Sequence, residues 1–236
     1  MIQKNDAYEK LGYFSQIVAA DTRRKEFDIK NHSIIHAGKQ PDFLFIGDSI
    51  THYWELNSYF NIPGQLIINR GIGGDTTTFL NKRFYVDALQ LKPKYCIMLI
   101  GVNDSADLEG DYWKLIPPQP YEEVLGRAKT NIREIIEQAK KTETKLIIGS
   151  LLPIHIKIAL HEASRKQFIC ELNQWLSETA QKEKLIFVNY YLATSYPGTN
   201  NLLDNITYDG LHPNALGYER MSNVLRSTLK KNNITI

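Results

Sequence analysis

Little in this sequence points to a metal, a disulfide framework or a membrane. Only two cysteines occur in 236 residues. Cys96 and Cys170 lie far apart, with no CxxC or histidine spacing around either, so both are expected as buried free thiols and not as a redox or zinc pair. The histidines and acids form no cluster with ligand spacing, and neither a metal nor a cofactor is expected. No apolar run approaches the roughly 18 residues that a bilayer-spanning helix needs. The opening residues lead into no apolar core of a secretory leader, which makes a cytoplasmic chain the expectation. Neither sign of charge dominates, with 28 lysines and arginines against 26 acids and a net +2. That balance offers no basic face for a phosphate backbone, and no nucleic-acid partner is expected. Repeats, low-complexity tracts and a second-domain linker are also missing, so one domain is the natural reading.

What is present is a regular alternation. Apolar runs at 43–46, 66–69, 95–100, 146–150 and 185–188 read as strands, each closed by glycine or polar residues. Between them lie helical patterns at 50–59, 77–91, 121–140 and 161–182, and a last helix follows at 214–230. The 121–140 segment is strongly amphipathic, with Val124, Leu125, Ala128, Ile132, Ile135 and Ile136 on one face. Strands alternating with helices of this length imply a parallel sheet with right-handed crossovers and helices on both faces. Ahead of the core, residues 6–30 carry Tyr8, Leu11, Phe14, Ile17 and Val18 at helical spacing. That segment reads as a leading helix packed on the core or on another subunit, which makes a homo-oligomer a candidate assembly. Its Arg23-Arg24-Lys25 cluster reads as solvated, and residues 31–42 as an entry loop.

In such a sheet, ligands bind beyond the carboxyl ends of the strands. The first strand delivers Gly47-Asp48-Ser49-Ile50 there, where Asp48 can cap the next helix and Ser49 stands before its amides. The second delivers a loop from Asn69 through Arg70, Gly71, Ile72, Gly73, Gly74 and Asp75 to Thr77. The third delivers Gly101-Val102-Asn103-Asp104, and the fifth a long loop ending in Asp209-Gly210-Leu211-His212-Pro213. A serine nucleophile needs an imidazole to take its proton, and the imidazole needs a carboxylate to fix its tautomer. His212 and Asp209 supply both, and glycine and asparagine amides supply donors for a tetrahedral oxyanion.

Those four blocks, in this order and spacing, resemble the signature blocks of the SGNH hydrolases, the GDSL esterase and lipase family. The wording Asn69-Arg70-Gly71-Ile72-Gly73-Gly74-Asp75-Thr76 is most similar to the branch holding the catalytic subunits of platelet-activating-factor acetylhydrolase. The resemblance implies an α/β fold, a flavodoxin-like three-layer α/β/α sandwich with a five-stranded parallel sheet, here with an N-terminal helical extension. Residues 42–236 would form the hydrolase domain and residues 1–41 the extension. Carried across, it implies Ser49, Asp209 and His212 as catalytic residues, and an oxyanion hole of Ser49, Gly74 and Asn103. Candidate substrate contacts are Asp48, Arg70, Tyr112, Trp113 and His155, with His52 as a further residue that can line the cleft. The acidic loop 104–113, ending in Tyr112 and Trp113, reads either as solvated or as a substrate wall that disfavours anionic headgroups. Together with the lack of a broad apolar lid segment, it favours a small-molecule O-acetyl ester as substrate, with an acetylated carbohydrate as one candidate. A lysophospholipase or thioesterase of the same fold is the nearest alternative. A flavodoxin-like phosphate-binding module using residues 71–77, or a non-catalytic subunit, are the rivals from other classes.

Overall fold

The computed structural model describes residues 18–110 and 115–236. Five parallel strands, β1 (Phe43–Gly47), β2 (Ile67–Gly71), β3 (Tyr95–Leu99), β4 (Lys145–Gly149) and β5 (Ile186–Val188), form one sheet in the order β2-β1-β3-β4-β5. β1 is buried along its whole length because both of its faces are covered, which is why it reads as an unbroken apolar run. It pairs in register with β2 on one side, Phe43 opposite Ile67, and with β3 on the other, Phe43 opposite Tyr95. The reversal of strand order therefore falls between β1 and β3, where their carboxyl ends part and leave a crevice.

Helices α4 (Thr77–Asp87), α5 (Tyr121–Lys140) and α6 (Glu162–Glu183) pack side by side in that order, with α1 (Val18–His36) beside α4. The short α7 (Tyr190–Thr194) and α8 (Ala215–Lys231) pack together, and the whole is a three-layer α/β/α sandwich. On α5 the apolar stripe is buried throughout, from Val124 and Leu125 through Ala128 and Ile132 to Ala139. Burying each large aliphatic side chain there contributes about 1.5–3 kcal/mol. Among the described residues no helix is long and apolar enough to cross a membrane.

Several local expectations need correction. Residues 31–36 are not an entry loop but the last turns of α1, because Asn31 is buried and bonded to Val86 O, Asp87 and Arg70. Arg24 is likewise buried, paired with Asp28 and with Asp87 at 2.9 Å, and Arg23 is half-buried, which leaves Lys25 as the exposed member of the basic cluster. The expected helix at 50–59 is split into α2 (Ser49–His52) and α3 (Leu56–Tyr59). Trp54 causes the break by turning into the core against Phe45, Phe60 and Tyr218, while Asn69 donates to the Thr51 and Trp54 carbonyls that the break exposes. The helix at 77–91 stops at Asp87 and continues as a 3-10 turn, Leu89–Leu91. Helix α7 has no counterpart in the sequence reading. Cys96 is buried as expected, but Cys170 is only half-buried, with its sulfur 3.4 Å from the Tyr191 hydroxyl. The leading-helix residues Tyr8, Leu11, Phe14 and Ile17 lie outside the described residues, as do Tyr112 and Trp113.

Candidate active site

Ser49 opens α2 at the end of β1. The chain can turn there because Gly47 passes so close to the Leu99 carbonyl of β3 that any Cβ would collide with it. Asp48 is the N-cap, its Oδ1 accepting from Ile50 N at 2.9 Å. As the first residue of the helix, Ser49 has an amide in the turn whose N–H groups have no helical acceptor.

The loop 205–213 brings the second half of the site. Asp209 accepts from the Leu211 and His212 amides at 3.0 and 2.8 Å, which curls the loop on itself. Gly210 sits at φ +84° against the His155 carbonyl and accepts from His155 N at 2.8 Å, tying this loop to the segment that follows β4. A side chain at 210 would meet both the strained φ and that carbonyl. The result is a line of hydrogen bonds. His212 Nδ1 lies 2.6 Å from Asp209 Oδ2, and His212 Nε2 lies 3.0 Å from Ser49 Oγ. Burial acts to raise the Asp209 carboxyl, but the bonds from the His212 amide and ring and from Leu211 N outweigh it and hold it below the ordinary carboxylate range. An ionised Asp209 draws the imidazole proton to Nδ1 and leaves Nε2 as the acceptor facing the serine.

Opposite the serine runs the glycine-rich loop after β2. Gly73 lies beside it, and a Cβ there would stand 3.9 Å from Ser49 Cβ. Asn103 donates one Nδ2 hydrogen to Asp75 O at 2.9 Å, and an amide nitrogen carries a second. Beneath this surface Arg83, fully buried, donates to Gly47 O, Arg70 O and Asp75, and so fastens the end of β1 to the glycine loop. Asp104 is equally structural: it accepts from Thr77 N and Thr77 Oγ1, and burial pushes it up to about 6. Among the described residues of this loop, the acids Asp104, Asp107 and Glu109 are therefore not a free acidic wall. Asp107 pairs with Arg127, and Glu109 accepts from His161 N.

Two of the expected substrate contacts are corrected here. Asp48 is fully buried, with its carboxyl pushed up to about 8 by burial, and it cannot reach a ligand. Arg70 is buried between Asn31, the Asn69 carbonyl and the Phe27 ring. His155 stands at the rim with Nδ1 3.4 Å from Glu162, and its backbone is what touches the Asp209–His212 loop. Tyr53 was not anticipated. One helical turn after Ser49, it sets its ring edge 5.6 Å from the His212 ring and is largely exposed, and the i, i+4 spacing was the available signal. The lid expectation also changes, since Leu115, Ile116, Ile158 and Leu160 are exposed on two facing loops that line a groove of about 820 Å³. The phosphate-cradle reading of 71–77 loses most of its donors, the Gly74 amide apart: the amides of Gly71, Gly73, Asp75 and Thr77 bond to Asn69, His52, Ile72 O and Asp104.

A serine, a histidine and an aspartate stand in hydrogen-bond line at the carboxyl edge of a doubly wound parallel sheet, an arrangement with the chemistry of nucleophilic catalysis. Residues 45–220 match the GDSL-like Lipase/Acylhydrolase family, and the chain belongs to that family. A solved structure from Bacteroides fragilis, assigned as an acylhydrolase, is 28% identical and superposes with a TM-score of 0.72 over 92% of this chain and 99% of its own. Human platelet-activating factor acetylhydrolase IB subunit alpha2 is 30% identical over 121 residues, 49% of this chain and 45% of that one. An acetylxylan esterase of Geobacillus stearothermophilus is 23% identical over 213 residues, covering 77% of this chain and 90% of the esterase. The chain spans about half the length of several of the curated relatives it matches, the human subunit among them.

Proposed function

We propose that this chain is a carboxylic ester hydrolase acting through an acyl-serine. Ser49 Oγ attacks the ester carbonyl while His212 Nε2 takes its proton, and Asp209 steadies the imidazolium. The tetrahedral oxygen gains a full negative charge facing the Ser49 and Gly74 amides and the free Nδ2 hydrogen of Asn103. Collapse expels the alcohol, which receives the proton from His212. Water, deprotonated by the same ring, then attacks the acyl-enzyme, and the acid leaves with Ser49 restored. The observation that carries this reading is the 3.0 Å and 2.6 Å pair of contacts made by the two nitrogens of one ring.

For the acyl group we propose acetyl, on a carbohydrate. The acetylxylan esterase and the platelet-activating factor acetylhydrolase differ in the alcohol their names imply but share acetyl. Hydrolysis of p-nitrophenyl acetate tests the mechanism: wild-type protein releases nitrophenolate and Ser49→Ala, with an unchanged circular dichroism spectrum, does not. A folded Ser49→Ala that keeps the wild-type rate sinks it.

A further inference from the structure

Resting on the ester-hydrolase reading, we propose that His52 is a positioning residue. Its neutral imidazole accepts the Gly73 N–H and thereby aims the next amide, Gly74, at the oxygen that turns negative when Ser49 attacks. His52 Nδ1 lies 3.2 Å from Gly73 N. The glycine loop lies flat on α2, so that a Cβ at Gly71 would run into the His52 backbone. Fixing the Gly73 peptide nitrogen fixes the plane of the peptide before it and limits where the Gly74 N–H can point. The other end of the loop is held from α1, where Arg23 Nε donates to Gly71 O at 3.2 Å and Phe27 packs with Ile72.

The arrangement works with one protonation state only. An imidazolium carries a hydrogen on Nδ1 and would face the Gly73 N–H donor to donor. The groups around the ring favour the neutral form. Burial disfavours the cation first, the Arg23 guanidinium adds to this, and Glu26, which Arg23 also contacts, opposes them weakly, so the ring stays below the ordinary histidine range. Tyr53 stacks on His52 at 5.0 Å and presents its edge to His212, the other titratable ring on this side. Two histidines therefore have to be uncharged for turnover, one as base and one as a fixed acceptor.

The test compares His52→Asn, whose Oδ1 replaces Nδ1 as an acceptor, with His52→Leu, which has none. His52→Gln, whose amide oxygen falls at the place of Nε2 and not of Nδ1, serves as a second variant without an acceptor at that point if His52→Leu does not fold. On p-nitrophenyl acetate, His52→Leu is expected to lose about 10- to 100-fold in kcat with KM nearly unchanged, less than the ~10²- to 10³-fold of deleting a donor outright. His52→Asn should stay within about threefold of wild type on the same scale. The acid limb of log kcat should steepen toward two protons in the wild type and return to one in His52→Asn. Amide exchange at Gly73 should quicken in folded His52→Leu, a readout that needs no turnover. Wild-type kcat in His52→Leu, or an equal loss in His52→Asn, overturns the inference. A Ser49→Ala protein that hydrolyses like wild type strikes the catalytic reading instead.

Discussion

Asn103 is held by the Asp75 carbonyl with one of its two amide hydrogens, so the orientation of the other is set before any substrate arrives. A ground-state carbonyl gains little from such a donor and an oxyanion gains much. Asn103→Ala should therefore lower kcat by about 10²- to 10³-fold, roughly 3–4 kcal/mol, with KM little changed. Asn103→Asp should be at least as damaging, and a near-normal kcat in Asn103→Ala would make the residue a strand-end tie. Asp48 gives a second prediction. Its folded carboxyl titrates near 8 because of burial, whereas in the unfolded chain it titrates near the ordinary value of about 3.9. Between those values the native state keeps a proton that the unfolded state has lost, so this group's contribution to stability falls as pH rises through the window and is greatest below it. Relative to Asp48→Asn, whose cap survives, wild-type protein should lose stability by up to about 1.4 kcal/mol per pH unit between pH 5 and about 7.5, read from urea midpoints. Parallel pH curves for the two proteins would reject that assignment. At this scale the meeting of Ser49, Asp209 and His212 was legible because polar residues of complementary chemistry closed predicted strands. Asp48 and Arg70 misled because nothing near them in sequence announces burial. The Asn31 partner of Arg70 lies 39 residues away.

Helix α5 and the strands were legible almost to the residue, since their periodicity records which faces are covered. Helix ends and breaks were not, because they are decided by tertiary partners. Trp54 stops α2 by filling the space between Phe45 and Tyr218, and the polar Asn31 stays helical because Val86 O, Asp87 and Arg70 satisfy its side chain. The same reasoning makes α1 more than a peripheral extension. Asn31→Ala should leave these buried groups short of partners and cost about 1–3 kcal/mol, seen as a lower urea midpoint with an unchanged slope. A midpoint equal to wild type would mean that the helix is only loosely applied to α4.

Taken whole, the molecule carries, besides the Ser49–His212–Asp209 line, an apolar groove built by Leu115 and Ile116 from one loop and Ile158 and Leu160 from another. The second loop does carry apolar residues in sequence, Ile154, Ile156, Ile158 and Leu160 among them, but nothing near them says that Ile154 is buried and Ile158 and Leu160 are exposed. The acetyl reading expects p-nitrophenyl acetate and butyrate to outpace longer esters, and Ile158→Asp to leave acetate hydrolysis intact. A rate optimum at eight or more carbons that Ile158→Asp abolishes would instead assign the groove to an acyl chain and reject the acetyl reading. Ser49 and His212 stand 163 residues apart in the chain, although their side chains touch. At a synthesis rate of about 5–20 residues per second, the serine leaves the ribosome roughly 8–30 s before its base does. On the proposed acyl-serine mechanism the hydroxyl lacks its histidine through that interval, so a nascent or C-terminally clipped chain would carry Ser49 as an inert alcohol, and hydrolytic power would arrive only when the final helix folds home.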